Sequence, residues 1–200
     1  TRAVIGIDAP EVTVEVHLAN GLPGLSIVGL PEAAVKESKD RVRAALLNAR
    51  FEFPARRITI SLAPADLPKE GGRFDLPIAL GILAASGQIP VDALQRYEFI
   101  GELALSGQLR PVRGCLPVAL QARNAGRTLL VPAENADEAA LVSDVAILPA
   151  DHLLQVIAHL HGESLITPHT TEQIPLRTQG AADLSEVYGQ PHARRALEIA

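Results

Sequence analysis

The side chains of this chain best suited to chemistry lie around a glycine-rich loop over residues 66–75. Three carboxylates, Asp66, Glu70 and Asp75, flank the pair Gly71-Gly72. Two carboxylates in different surroundings are the usual arrangement for general acid–base catalysis. Asp also favours turns and the position that precedes a helix, and these duties are enough to explain Asp66 and Asp75. We therefore favour a structural role for both and expect Asp75 to cap the helix that follows.

The same loop is a candidate for anion binding through its backbone amides, because successive glycines leave N–H groups open to a ligand. Its spacing is not that of a nucleotide-binding loop. No Gly-x-x-x-x-Gly-Lys-[Ser/Thr] pattern occurs anywhere in the 200 residues, so the usual cradle for nucleotide phosphates is missing. We expect no cofactor in this chain.

Histidine and cysteine offer little for a metal site. The closest set of histidines is His152, His159 and His161, and no carboxylate or cysteine completes a zinc-binding group with them. We predict that they face solvent on a helix. Cys115 is the single cysteine, so no intrachain disulfide can form. It follows Gly114 without a nearby histidine, and we interpret it as a small core residue in a protein of a reducing compartment, the cytoplasm.

Charge is distributed unevenly along the chain. The net charge is −5, which argues against a uniformly basic nucleic-acid-binding protein, yet the window 36–57 holds seven basic and three acidic residues, a local charge of +4. Such a face is either a solvated helix surface or a contact for DNA phosphates. Aromatic residues make up only 3%, which disfavours a base-stacking platform. The candidate DNA-contacting residues are Lys36, Lys39, Arg41, Arg43, Arg56 and Arg57.

Hydrophobic periodicity supplies the elements that must position these residues. Alternation over 12–18, 25–28 and 58–62 predicts strands, the first forming a hairpin with 4–7 across Ala9-Pro10. Helical spacing predicts helices over 31–48 and 76–86. Residues 99–110 are typical of a hairpin around Ser106-Gly107. The longest nearly apolar stretch, 76–85, is too short to span a bilayer, so we expect no membrane association.

The second half alternates strands with helices, which favours an α/β domain over residues 1–161. Helices are predicted over 116–124, 135–141 and 153–161, and strands over 128–131 and 145–148. Residues 162–182 lack apolar periodicity and are interpreted as a linker. Residues 183–200 then begin a new element, with a helix over 191–200 whose packing partner is not in the chain. We interpret the chain as a fragment of a longer protein.

Several motifs together resemble the amino-terminal region of the ComM/YifB family, the magnesium-chelatase-like AAA+ proteins. The motifs are Gly21-Leu22-Pro23, Ile27-Val28-Gly29-Leu30-Pro31, Arg41-Val42-Arg43, Leu62-Ala63-Pro64-Ala65-Asp66 and Phe74-Asp75-Leu76-Pro77-Ile78-Ala79. The resemblance covers essentially the whole chain. It implies an α/β (α+β) fold of the ribosomal protein S5 domain 2-like type, similar to the proteolytic domain of Lon.

This resemblance also bears on catalysis. Lon-type peptidases use a Ser nucleophile and a Lys base. At the matching positions this chain has Arg73, in Pro68-Lys69-Glu70-Gly71-Gly72-Arg73, and Leu116. Arg is not a nucleophile and Leu cannot accept a proton, so both members of the dyad are absent. We expect no catalytic residue in this chain.

Residues 183–200 resemble the start of the AAA+ module of the family. The turn Val187-Tyr188-Gly189-Gln190 would then lie near the adenine. For the full-length protein, the resemblance implies ATP and Mg²⁺ as cofactors and a hexameric, ATP-driven DNA motor that moves branch points during natural transformation. DNA contact by such a protein would be weak for one subunit and independent of sequence.

Two interpretations remain in competition. The first is a non-catalytic accessory domain of the AAA+ motor, which helps ring assembly or DNA guidance. The second is an enzyme, either a divergent Lon-like peptidase or a magnesium-chelatase-type subunit. The dyad positions disfavour the peptidase, and no carboxylate or histidine constellation suits a porphyrin or metal substrate. Which domain of the full protein contacts DNA stays open.

Overall fold

The computed structural model describes residues 1–170 and 188–199 and has the mixed α/β fold that the sequence predicts. Two segments of 3₁₀-helix, Gly72–Phe74 and Ala133–Asn135, lead into helices. Within the described residues the strands are β1 (Thr13–Ala19), β2 (Gly24–Val28), β3 (Arg57–Ala63), β4 (Tyr97–Phe99), β5 (Glu102–Leu103), β6 (Leu109–Arg110), β7 (Thr128–Pro132) and β8 (Ile147–Ala150). The helices are α1 (Ala33–Asn48), α2 (Asp75–Ala85), α3 (Val91–Leu94), α4 (Cys115–Asn124), α5 (Ala136–Ala139), α6 (Leu153–Leu160) and α7 (Pro191–Ile199).

The first sheet has the strand order β1-β3-β2, with β1 antiparallel and β2 parallel to the central strand. Alternate residues of β3, namely Ile58, Ile60 and Leu62, are buried, as the period of two in a strand requires. Helices α1 and α2 pack together, and α2 also packs on β1. Gly81 of α2 permits close approach, because a Cβ there would lie 2.7 Å from Cγ2 of Val16.

The second sheet has the order β4-β7-β8, and all its strands are parallel. Leu129, Leu130 and Val131 of β7 are all buried, which is the pattern of a parallel strand covered on both faces. Strands β5 and β6 form an antiparallel hairpin around Ser106-Gly107, but its first strand is shorter than predicted, because Phe99 belongs to β4 and pairs with β7. The predicted alternation of strands and helices after residue 99 is therefore confirmed.

The amino-terminal hairpin differs from the prediction. Its turn lies at Gly6-Ile7 and not at Ala9-Pro10, and the bridges join Arg2 to Glu11 and Ile5 to Asp8. Gly6 has a φ of 60°, in the left-handed region that glycine adopts without steric cost. The turn therefore forms where the backbone can take this conformation, and β1 pairs with β3 instead.

Asp75 does not cap a helix, contrary to our expectation. It is the first residue of α2, and its carboxylate accepts hydrogen bonds from Arg41 Nε at 2.7 Å, Arg41 Nη2 at 3.0 Å and the Leu103 N–H at 3.1 Å. The Asp75 side chain is 0% exposed and that of Arg41 is 20% exposed. Burial raises the pKa of Asp75, and the Arg41 guanidinium opposes that shift. This pair joins α1, α2 and β5.

A second buried ion pair connects the first residues of the chain to the second sheet. Arg2 donates from Nε and Nη2 to the two carboxylate oxygens of Glu98, both at 2.7 Å. Its Nη1 donates to the Ala9 carbonyl at 3.0 Å. A bidentate pair of this kind defines a geometry as well as a charge partner. The amino-terminal hairpin is thereby attached to β4.

His159 is buried, so the prediction that it faces solvent is wrong. It is 8% exposed on α6. Its Nδ1 accepts the Ile166 N–H at 3.0 Å, and Nε2 therefore carries the proton and donates to Tyr97 Oη at 3.0 Å. Desolvation lowers the pKa of His159. His152 instead precedes α6 and accepts the Leu154 N–H with Nδ1 at 3.1 Å.

The predicted linker and final element are described only in part. Residues 162–170 contain no helix or strand, and the remainder of the linker, with residues 183–187, lies outside the described residues. The helix α7 falls within the helix predicted over 191–200. The boundaries at 161 and 182 stay predictions. No helix among the described residues is long and apolar enough to cross a membrane.

We predict that Arg41→Ala lowers the free energy of unfolding by about 3–5 kcal/mol, because it leaves the buried Asp75 carboxylate without its counter-charge. Urea denaturation followed by circular dichroism measures this change. Lys36→Ala, which removes an exposed cation from the same helix, is the matched control and should change stability by less than about 0.5 kcal/mol. Equal effects of the two substitutions would contradict the assignment.

We also predict a pH dependence of stability that depends on His159. Because its pKa is lowered in the folded state, the unfolded chain binds more protons below the unfolded pKa of about 6.5, so stability is lost as the pH falls through that value. The loss between about pH 7.5 and 5.5 should be smaller in His159→Gln, which keeps a donor and an acceptor. Urea titrations at both pH values measure it, with His17→Gln as the exposed control. An identical pH dependence in all three proteins would refute the role of His159.

Candidate functional site

The glycine-rich loop is held rigidly on both sides of its tip. Lys69 is fully buried, and its ammonium donates to the Pro64 carbonyl. Desolvation lowers the pKa of Lys69. The Lys69 carbonyl also accepts the Glu32 N–H at 3.1 Å, which ties the loop to the residues before α1. After the tip, Phe74 is buried in the core. The loop is therefore a fixed part of the scaffold.

The structure places Arg73, the predicted nucleophile position, in a cleft, and Leu116, the predicted base position, outside the lining of that cleft. Arg73 Nη2 donates to the Arg113 carbonyl at 2.8 Å, in the turn that leads into α4. Leu116 lies in the first turn of α4, is 42% exposed, and donates its N–H to the Glu138 carboxylate at 3.1 Å. A cleft of ≈ 490 Å³ lies beside Arg73, Gly72 and Arg113. A guanidinium and an alkyl group stand at the two positions, and the assignment of these positions to a peptidase dyad stays a prediction.

Cys115, directly before Leu116, carries a thiol, which is a potential nucleophile. Its side chain is buried, and burial raises the pKa of the thiol to about 12. A thiol with so high a pKa is protonated at neutral pH and is a poor nucleophile. The prediction that Cys115 is a core residue is confirmed.

The three carboxylates around the loop lie in different surroundings. Asp66 and Glu70 are exposed, whereas both oxygens of the buried Asp75 accept hydrogen bonds from Arg41 and the Leu103 N–H. Asp75 therefore has the structural role that we favour for it, as a partner of Arg41. Within the described residues no group of three or more His, Cys, Asp or Glu side chains is arranged to hold a metal ion.

A second cleft, of ≈ 410 Å³, lies beside α1, the start of β2 and residues 53–56. Lys39 and Arg43 of α1 and Arg56, directly before β3, line it. Lys39 and Arg43 are four residues apart and so lie on one face of the helix. The Arg43 guanidinium lies 4.8 Å from the centre of the Phe53 ring. Phe53 was not singled out from the sequence, where only its proximity to Arg56 could have suggested a role.

The six candidate DNA-contacting residues differ in their exposure and in their ion pairs. Arg41 forms an ion pair with Asp75 and its side chain is mostly buried, so its guanidinium has a structural role. The other five are exposed, and across residues 1–170 and 188–199 none of them has a carboxylate within 4.0 Å. They are Lys36, Lys39, Arg43, Arg56 and Arg57. We call this set the basic face.

The nucleotide-proximal candidates lie at the carboxyl-terminal end. Val187 is outside the described residues, and Tyr188, Gly189 and Gln190 directly precede α7. Tyr188 is 89% exposed. Their role beside an adenine stays a prediction.

Comparison with known proteins places these features in context. A family model described as subunit ChlI of Mg-chelatase matches residues 14–135. Competence protein ComM of Haemophilus influenzae is 53% identical over 205 residues, with 100% of this chain and 40% of that protein covered. The uncharacterized protein YifB of Salmonella typhimurium is 52% identical over 199 residues, with 100% and 39% covered. A Lon protease of Bacillus thuringiensis is 27% identical over 161 residues, with 74% and 20% covered. The chain therefore spans about 40% of the length of ComM and YifB.

We predict that the chain has no peptidase activity, because Arg73 and Leu116 occupy the positions of nucleophile and base. Fluorogenic peptides and an unfolded protein substrate should show no turnover above buffer, with a Lon protease as the positive control. Turnover that disappears when a residue of the loop 69–75 is changed would show that another group has taken over the chemistry.

Proposed function

Because the chain belongs to the magnesium-chelatase-like ComM/YifB family, we propose that it is the non-catalytic accessory domain of an ATP-dependent AAA+ DNA motor. In this proposal the parent protein is a hexameric branch-migration helicase that acts in natural transformation and recombination in the cytoplasm. ATP and Mg²⁺ serve the remainder of the protein, since a phosphate loop is absent from this sequence. The domain guides DNA and supports assembly of the ring.

The observation that carries the DNA-guiding role is the convergence of Lys39, Arg43 and Arg56 on one cleft without ion-pair partners among the described residues. Two of these cations lie on α1 and the third lies directly before β3, so the fold brings them to one cleft. The cation–π contact with Phe53 also restrains Arg43. Three cations and one carboxylate, Asp40, line the cleft, so its lining keeps a net positive charge that favours the binding of phosphate oxygens.

These contacts favour backbone binding over base recognition. Phosphate contacts position a protein on nucleic acid and carry no sequence information directly. Phe53 lies under Arg43, and the chain holds only four Phe and two Tyr, so stacking on several bases is disfavoured. The net charge of −5 also weakens the attraction of the whole domain for DNA. One domain should bind with a Kd on the order of 10⁻⁴–10⁻⁶ M.

Weak contacts of this kind are useful in a ring. When six domains are joined in one assembly, binding by one raises the effective concentration of DNA at the others. A low affinity for each domain then permits movement along DNA, because individual contacts break readily. Weak binding by each domain therefore suits an accessory domain of a ring better than an independent DNA-binding protein.

The enzymatic alternatives have less support. A divergent Lon-like peptidase would need a nucleophile near Arg73, and the buried Cys115 with its raised pKa does not supply one. A magnesium-chelatase-type subunit that handles Mg²⁺ would need a carboxylate cluster, and none is found within the described residues. The accessory domain accounts for the scaffold and for the basic face together.

We predict that the chain binds duplex and branched DNA in a manner governed by salt. Each phosphate contact should add about −0.9 to the slope of log K against log salt concentration for duplex DNA. The double variant Lys39→Glu, Arg43→Glu should reduce the magnitude of that slope by about two. Fluorescence anisotropy of labelled DNA at several salt concentrations measures both quantities.

The matched control is Arg50→Glu, Arg96→Glu, which makes the same change in net charge at exposed positions outside the cleft. It should leave the slope close to that of the unchanged chain. If both double variants bind alike, the basic face is solvated surface and the DNA-guiding role of this domain is wrong. The same comparison in the full-length protein tests whether the ring depends on the cleft.

A further inference from the structure

The cleft beside Arg73 contains a guanidinium with an unused hydrogen-bond donor, on which the Glu70 and Glu138 carboxylates act only from beyond 4.0 Å. Arg73 uses Nη2 on the Arg113 carbonyl, while its Nη1 is buried and has no hydrogen-bond acceptor among the described residues. No carboxylate of the described residues lies within 4.0 Å of the guanidinium. Desolvation lowers the pKa of Arg73. A partly buried guanidinium with an unpaired donor lowers the stability of the fold unless an anion accepts a hydrogen bond from it.

A second cation lies in the same cleft. Arg113 is exposed, and only its backbone carbonyl takes part in the contact with Arg73. Arg113 lines the cleft together with Arg73, Gly71 and Gly72. Two guanidinium groups with spare donors match the planar, two-oxygen geometry of a carboxylate.

The remaining charges of the cleft select against a polyanion. Glu70 and Glu102 line it as well, and the Glu102 carboxylate lies so close to Gly72 that a Cβ there would overlap it. These acidic groups repel the successive phosphates of a nucleic acid, yet they accept hydrogen bonds from backbone N–H groups. Apolar contact is available from Val4 and Val112. The lining is therefore complementary to a peptide that bears one carboxylate.

We propose that this cleft is a docking site for an extended peptide segment with an acidic side chain, whose carboxylate is held by Arg73 and Arg113. The peptide backbone lies along Gly71 and Gly72 and donates to Glu70 and Glu102. No bond is made or broken, because the position of the nucleophile is occupied by the guanidinium that binds the ligand. The proposal does not depend on DNA binding by the basic face, since the two clefts share no residue.

The test uses two blocked pentapeptides, acetyl-Ala-Ala-Asp-Ala-Ala-amide and the same peptide with Asn in place of Asp. Each is titrated into the ¹⁵N-labelled chain, and the amide signals of Gly71 and Gly72 are followed by NMR. The Asp peptide should shift these signals. The Asn peptide should bind with a Kd at least about tenfold higher, because a charge-assisted hydrogen bond is lost. Inorganic phosphate and a short DNA duplex are titrated in parallel.

Arg113→Gln is the informative variant, because it keeps the backbone carbonyl that Arg73 binds and so leaves the fold intact. It should weaken binding of the Asp peptide by about tenfold, while Arg96→Gln, an exposed position outside the cleft, should not change it. Equal shifts by the Asp and Asn peptides would overturn the proposal. So would a larger shift of Gly71 and Gly72 by the duplex or by phosphate, which would make the cleft a phosphate site.

Discussion

The buried ion pair between Arg41 and Asp75 is the interaction on which the arrangement of both clefts depends. It joins α1, which carries most of the basic face, to α2, which begins at the glycine-rich loop, and to β5 through the Leu103 N–H. A carboxylate that is 0% exposed cannot remain ionised at low cost without a counter-charge and hydrogen bonds. The pair therefore restricts how α1 and α2 can pack, and it sets the position of the loop relative to the basic face.

The loop itself keeps the order of a catalytic segment without the chemistry. Lys69, Arg73 and Asp75 are each held by a defined partner: the Pro64 carbonyl, the Arg113 carbonyl and the Arg41 guanidinium. Side chains that are anchored in this way lose conformational entropy once, on folding, and present a preformed surface. Such a surface suits binding, and the Arg at the nucleophile position makes it complementary to an anion. The similarity to a Lon protease covers 161 residues, and the loss of its reaction stays a prediction.

The distribution of charge is more informative than its sum. A chain with a net charge of −5 presents five exposed cations on α1 and around the start of β3, three of which line one cleft, while other cations form ion pairs inside the protein with Asp75 and Glu98. The acidic residues that lower the net charge are therefore partly structural. Local fields decide binding, because exposed charges separated by more than about 8 Å are largely screened at physiological ionic strength. A basic face for DNA and a mixed-charge cleft for peptide can consequently coexist in one small domain.

The sequence by itself determined the fold class, the family, the strands β1, β2 and β3 and the long helix α1, because periodicity and motifs are local properties of the chain. Only the tertiary structure decided which of several similar side chains are available. Arg41 and Arg43 are indistinguishable as letters, yet one is paired with a residue 34 positions away and the other lines a cleft. His159 was predicted to face solvent and is buried against Tyr97, 62 positions away. Burial and pairing arise from contacts between distant segments, and no pattern within one helix encodes them.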